Sequence, residues 1–117
     1  IACCVKHFAG YGAAEAGKEY NTTDISDRNL REYYLRPYRE CLKENPEMFM
    51  SSFNLLNGKP ILGHKDIMVD MLRKEWGFDG VVISDYSSVE EFRPCDNRGS
   101  SLCRLLRPNT DLRRRFP

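Results

Sequence analysis

Val81-Val82-Ile83-Ser84-Asp85-Tyr86 is a β-branched run of strand length that ends on a carboxylate. Two more runs have the same design. Ile1 to Phe8 ends in Lys6-His7-Phe8, and Met48 to Asn54 ends in Ser51-Ser52-Phe53-Asn54. All three are apolar almost throughout rather than alternating, which predicts strands covered on both faces, as in parallel sheets.

Helical patterns separate the runs. The first starts at Ser26, a good N-cap, with Asp27 in its first turn. Its apolar stripe reads Leu30, Tyr33, Tyr34, Tyr38, Cys41 and Leu42; Pro37 predicts a kink or two abutting helices, and Pro46 closes it. The second runs from about His64 to Glu75, with Ile67, Met68, Met71 and Leu72 facing inward. Arg73 and Lys74 suit its negative end, and Gly77 suits a left-handed cap. The order β-α-β-α-β implies right-handed crossovers. All three polar strand ends then meet at one edge, where the chemistry of parallel α/β folds sits.

Composition narrows the field. The chain has 117 residues and a formal net charge of +1, which gives no bulk electrostatic reason to bind nucleic acid or an anionic membrane. No run of about 18 apolar residues is present. The opening run Ile1-Ala2-Cys3-Cys4-Val5 reads as a strand interior, so Ile1 is taken as a cut edge. Five cysteines without a C-x-x-C predict buried small hydrophobes in a reducing compartment rather than a disulfide framework or a metal site. A cytoplasmic location is expected on that basis. Asn21-Thr22-Thr23 would accept glycosylation only in a secreted protein.

From Arg93 the composition changes. Arg93, Arg98, Arg104, Arg107, Arg113, Arg114 and Arg115 occur with no lysine and no apolar period. Residues 93–117 are therefore read as a tail foreign to the fold of residues 1–92, either a solvated charged segment or a shifted reading frame.

Three groups of residues can carry chemistry. Gly10-Tyr11-Gly12-Ala13-Ala14-Glu15 follows a strand as a dinucleotide-binding turn does, but Glu15 replaces the third glycine and would face a pyrophosphate. Lys6 and His7 are neighbours at a strand end, so a regular strand would point them to opposite faces. A distorted backbone, such as a non-proline cis bond, would turn both toward one ligand. Asp85 is either a catalytic carboxylate or the N-cap of the next helix.

Several ordered segments together resemble the glycoside hydrolase family 3 β-glucosidases. They are Lys6-His7-Phe8-Ala9-Gly10-Tyr11-Gly12, Gly17-Lys18-Glu19-Tyr20-Asn21-Thr22, Leu30-Arg31-Glu32-Tyr33-Tyr34-Leu35, Ser52-Phe53-Asn54-Leu55-Leu56-Asn57-Gly58, Leu72-Arg73-Lys74-Glu75-Trp76-Gly77-Phe78-Asp79-Gly80 and Ser84-Asp85-Tyr86. The resemblance covers residues 1–92. It implies an α/β fold forming part of a (β/α)8 TIM-type barrel, with about three parallel strands and two helices, followed by an irregular tail. It implies hydrolysis of terminal non-reducing β-D-glycosidic bonds through a covalent glycosyl-enzyme intermediate, with Asp85 as nucleophile. Lys6, His7 and Lys18 would bind sugar hydroxyls, and Tyr86 would supply the aromatic beside the nucleophile. Phe53 stands where some relatives have Tyr and can pack but not orient Asp85. No cofactor or metal is implied.

The loop from Ala9 to Ile25 contains no His, so it lacks the Asp-His acid/base of the N-acetylglucosaminidase branch. The acid/base is then expected from a Glu in a following α/β domain, and the partners of this segment are that domain, the remaining barrel and a β-glycoside or oligosaccharide. Glu15, Glu19 and Asp24 read as loop or cap residues, and Glu90 and Glu91 as a solvated helix start. Such a fragment is expected to be inactive by itself. A non-catalytic carbohydrate-binding barrel remnant is the first alternative, and a nucleotide-binding α/β domain the second.

Overall fold

The structure, a computed structural model, describes residues 1–86, 88 and 89. The residues from 93 onward, Glu90 and Glu91 lie outside the described residues, as do the expectations attached to them. Three strands form a parallel sheet in the order β1-β2-β5: β1 (Cys4–Phe8), β2 (Met48–Ser51) and β5 (Val81–Ile83). The β-branched and aromatic residues read as strands do form them, over shorter spans than the apolar runs. In the chain between β2 and β5 lies a small antiparallel hairpin, β3 (Leu55–Leu56) with β4 (Lys59–Pro60), beyond the three strands expected from the apolar runs. Its Asn57-Gly58 turn is the signal that could have revealed it.

One face of the sheet is covered. Val5, Phe49 and Val82 lie in register across the strands and pack with Phe8 on the helical layer. Phe8 meets Phe49 edge-on at 5.4 Å, and Phe49 meets Phe78 at 4.7 Å. Leu35, Leu72, Met68 and Met71 from the helical layer belong to the same core, as do Leu56, Ile61 and Leu62. The opposite face carries Cys4, Met48, Met50, Val81 and Ile83, all only half-buried. Continuous apolarity predicted cover on both faces; among the described residues only one face is covered.

The first helical segment begins where expected. Ser26 Oγ accepts from the Asn29 N–H at 3.4 Å and opens α1 (Asp27–Asn29). The chain then widens into a π-type turn (Leu30–Tyr34) before α2 (Arg36–Cys41). Leu35 N–H donates to Leu30 five residues back, at 2.8 Å. Pro37 lacks an N–H and cannot continue the ordinary ladder, so the irregularity falls next to it. The wider turn shifts the phase of the helix. Leu35 becomes one of the most buried side chains at 1% exposure, whereas Tyr33, assigned to the inward stripe, is 69% exposed. Cys41, at the end of the segment, is exposed too. Cys3 is also exposed and Cys4 is half-buried, so the described cysteines depart from the expected burial. Cys3 lies just before β1, where its carbonyl still accepts from the Met48 N–H of β2 at 3.1 Å.

The second helix (Asp66–Glu75) is also π-wound, and Ile67, Met68, Met71 and Leu72 face inward as expected. It ends on Gly77 at φ 72°, with the Phe78 N–H returning to the Leu72 carbonyl at 3.1 Å. Arg73 then ties down the entry to β5. One guanidinium nitrogen donates to the carbonyls of Phe78 at 2.9 Å and Gly80 at 2.6 Å, and the cation lies 5.0 Å from the Phe78 ring centre.

Gly80 is required by close approach. A methyl group there would overlap the Glu47 carbonyl and the Phe78 ring. That carbonyl accepts from Val81 N–H at 2.9 Å where β5 joins β2. Gly80→Ala is therefore expected to destabilise the protein by about 1–3 kcal/mol through overpacking. A urea unfolding midpoint unchanged from the parent would contradict this.

A second stability effect is pH-dependent. His64 is 7% exposed, and its Nδ1 has no hydrogen-bond partner among the described residues. Burial, then the nearby Lys59 cation, push its pKa below the ordinary value of 6.5, while Asp66, 4.0 Å away, opposes them. The fold thus holds the neutral imidazole, and the unfolded chain takes up the proton first. This contribution is complete above about pH 6.5 and is lost as pH falls. Urea midpoints measured from about pH 7.5 down to about pH 5.5 should fall less steeply for His64→Asn than for the parent. Equal slopes would exclude the effect.

Candidate functional site

The site is built on the carboxyl edge of the sheet. The ladder between β1 and β2 slips between Val5 and Phe8, and the Lys6–His7 and Phe8–Ala9 peptide bonds are cis. This is the kind of backbone distortion anticipated for the Lys6-His7 pair. Neighbouring groups take up the carbonyls of the irregular stretch. Tyr38 donates its hydroxyl to the His7 carbonyl at 2.5 Å. Ser52 N–H donates to Phe8 at 2.7 Å, and Ser52 Oγ and Asn54 Nδ2 donate to Ala9 at 3.3 and 3.4 Å. Ser52 and Asn54 lie beyond the end of β2 and are buried, so this second strand end locks the first.

The third strand end closes the arrangement. His7 Nε2 stands 3.3 Å from Asp85 Oδ2, with side-chain exposures of 29% and 18%. The other oxygen, Asp85 Oδ1, accepts from Tyr86 N–H at 2.6 Å. A partly covered carboxylate thus sits at the mouth of β5 with an imidazole against one oxygen and an amide against the other. The N-cap reading requires acceptance from the second or third residue of a helix. Among the described residues the one amide that donates to the carboxylate is that of the adjacent Tyr86, and the Asp85 carbonyl takes the Ser88 N–H and hydroxyl, each at 3.2 Å.

Aromatic side chains wall the cluster. Tyr11 lies edge-on to His7 with ring centres 5.5 Å apart and 6.3 Å from Phe53; Phe53 packs on Tyr20 at 4.3 Å. The Tyr11 hydroxyl is enclosed and lacks hydrogen-bonding geometry to any described residue. Its phenol pKa is raised by burial first, then by Glu19, Tyr20 and Asp85. Glu19 and Asp85 therefore both act on one phenol.

Of the residues singled out in the sequence, the structure brings His7 and Asp85 into contact. Tyr86 follows directly and is 82% exposed. Lys6 and Lys18 are exposed, and their ammonium groups make no hydrogen bond or ion pair with described residues. Phe53 packs, as its lack of a hydroxyl requires. Tyr11, Tyr20 and Tyr38 were not identified from the sequence as site residues, because nothing in their spacing ties them to His7. The glycine-containing stretch folds into two short 3-10 turns, Tyr11–Ala13 and Glu15–Gly17, so no long helix starts there to receive a phosphate. A groove of about 600 Å³ lies on the helical layer, lined by Arg31, Arg36, Arg39 and Trp76 among others. It contains none of the strand-end residues, and its Arg31 is already paired with Glu75 at 2.9 Å. Chemistry therefore favours the strand ends. Among the described residues no group of three His, Cys, Asp or Glu side chains could hold a metal ion.

A parallel sheet with a helical layer on one face is an α/β arrangement compatible with part of a barrel, and the carboxylate–imidazole pair lies at its carboxyl edge, where such folds carry their sites. Residues 1–103 match the glycosyl hydrolase family 3 N-terminal domain, and the chain belongs to that family. The match runs past the change of composition after residue 92. The periplasmic β-glucosidase of Salmonella typhimurium is 45% identical over 87 residues, which is 74% of this chain and 11% of that protein. The β-glucosidase of Rhizobium radiobacter is 36% identical over 103 residues, 87% of this chain and 12% of that protein. A crystal structure of β-glucosidase from Listeria innocua in complex with glucose superposes with a TM-score of 0.75 at 47% identity, covering 78% of this chain and 13% of that one. The chain thus spans about an eighth of the length of the relatives it matches.

Proposed function

We propose that the protein carrying this segment hydrolyses terminal non-reducing β-D-glycosidic bonds, β-glucosides foremost, with retention of configuration. The observation that carries this reading is Asp85 at the mouth of β5, 3.3 Å from His7 Nε2, in a chain of this family. The complex of a relative with glucose supports the choice of sugar.

In this reading an Asp85 oxygen attacks the anomeric carbon while the bond to the leaving oxygen breaks, giving a glycosyl ester. Water then cleaves the ester and frees Asp85. His7 holds one carboxylate oxygen and turns its remaining polar edge to a sugar hydroxyl. Lys6 and Lys18 carry ammonium groups free to bind further hydroxyls. Tyr86, largely exposed beside the nucleophile, offers an aromatic face to the apolar side of the ring. The leaving group needs a proton from a second carboxyl about 5–5.5 Å from the first. We assign it to a Glu outside residues 1–117, in an α/β domain that completes the site together with the rest of the barrel.

The test is a retaining-glycosidase assay on the full-length protein. Aryl β-glucosides should be cleaved to the β-anomer, and a slow-turnover fluorinated glycoside should label the peptide carrying Asp85. Labelling of another carboxylate, or release of the α-anomer, would refute the assignment.

A further inference from the structure

We propose that Tyr38 is a positioning residue for His7, fixing where the imidazole stands against Asp85 through a hydrogen bond to the His7 carbonyl. This rests on the functional reading above. The backbone at His7 departs from the regular ladder, whose pairing slips between Val5 and Phe8. Its geometry therefore depends on other anchors. Tyr38 Oη donates to the His7 carbonyl at 2.5 Å. The Tyr38 ring is itself held, edge-on to Phe8 at 5.2 Å and 6.3 Å from Phe49, and both phenylalanines are fully buried. Burial raises the Tyr38 phenol above its ordinary range, so the hydroxyl remains a donor at any working pH.

The consequence is geometric. The carbonyl direction and the buried Phe8 side chain together fix the Cα–Cβ direction of His7, and the imidazole extends from it to Asp85. Ser52 and Asn54 hold the next two carbonyls from the β2 side, whereas Tyr38 holds this one from α2. Tyr38 thus couples the helical layer to the site without reaching Asp85 or the sugar. Misplacing a contact by about an ångström is enough to lower the rate on the order of a hundredfold.

A mutant cycle in the full-length protein tests this. Tyr38→Phe, His7→Ala and the double variant are compared on an aryl β-glucoside and on its monodeoxy analogues, with melting recorded for each. Tyr38→Phe should lose about tenfold in kcat/KM while remaining folded. The double variant should be no worse than His7→Ala. Among the deoxy analogues, the one lacking the hydroxyl that His7 contacts should be discriminated less strongly by Tyr38→Phe than by the parent. A merely structural role would lower all substrates alike and would add to the His7→Ala loss, and that result overturns the inference. So does parental kcat/KM in Tyr38→Phe. If Tyr38→Phe does not fold, Tyr38→His, which keeps a ring and a donor, is read in the same cycle by the same criterion. A fully active His7→Ala would overturn the functional reading and this inference with it. A crippled His7→Ala with an additive Tyr38→Phe overturns this inference alone.

Discussion

Replacing Asp85 by Asn in the full-length protein is expected to cut glycoside turnover on the order of 10³-fold or more, while folding and sugar binding persist. The side chain keeps its shape but loses the charge that forms the glycosyl ester. Its neighbours stay in place: Tyr86 N–H can still donate to the amide oxygen, and the Asp85–Ser88 turn is held by the main-chain carbonyl rather than the carboxylate. Melting should therefore shift little. The opposing reading, Asp85 as a helix cap, predicts a loss of about 0.5–2 kcal/mol of stability and unimpaired chemistry. Calorimetry, inhibitor binding and turnover measured on the same preparation separate the two. A variant that melts early yet still turns over would end the nucleophile assignment.

The second large effect concerns residues 1–117 alone, which are expected to hydrolyse no aryl β-glycoside. A (β/α)8 barrel takes about 250 residues. Here the parallel sheet has three strands among the described residues, with the face bearing Met48, Met50, Val81 and Ile83 only half-buried. Parallel strands with an open face and unpaired edges favour association with other copies. On the proposed reading the chemistry is incomplete as well. Glu19 neighbours Tyr11 at the site's rim, but it lies in the loop directly after the sheet strand that supplies His7, not on a second domain facing the sugar from the other side. The purified chain should aggregate and show no turnover above a buffer blank. Asp85-dependent hydrolysis by a monomeric preparation would overturn this and the assignment of the acid/base to another domain.

Aperiodic and periodic parts of the sequence differed in what they revealed. The helix Asp66–Glu75 was legible because its four inward residues follow helical spacing and Gly77 permits the positive φ that ends it. The first helical segment was legible at its start, through Ser26, but not in its phase. One widened turn beside Pro37 moved Leu35 inward and Tyr33 outward, and a regular helical period cannot announce such a turn. The β3–β4 hairpin was missed because two-residue strands carry too few positions to show alternation.

By itself the sequence determined that three β-branched or aromatic runs alternate with helical ones, and that each run ends on polar residues. Hydrophobic period and capping chemistry are local, and they also placed Asp85, Lys6 and His7 at strand ends. Tertiary structure alone decided which of those groups meet. His7 and Asp85 are far apart in the chain, and their 3.3 Å contact depends on the parallel register of three strands and on a slip in the first of them. Tyr38 joins them through a main-chain carbonyl, an acceptor every residue possesses, so no side-chain pattern could have announced it.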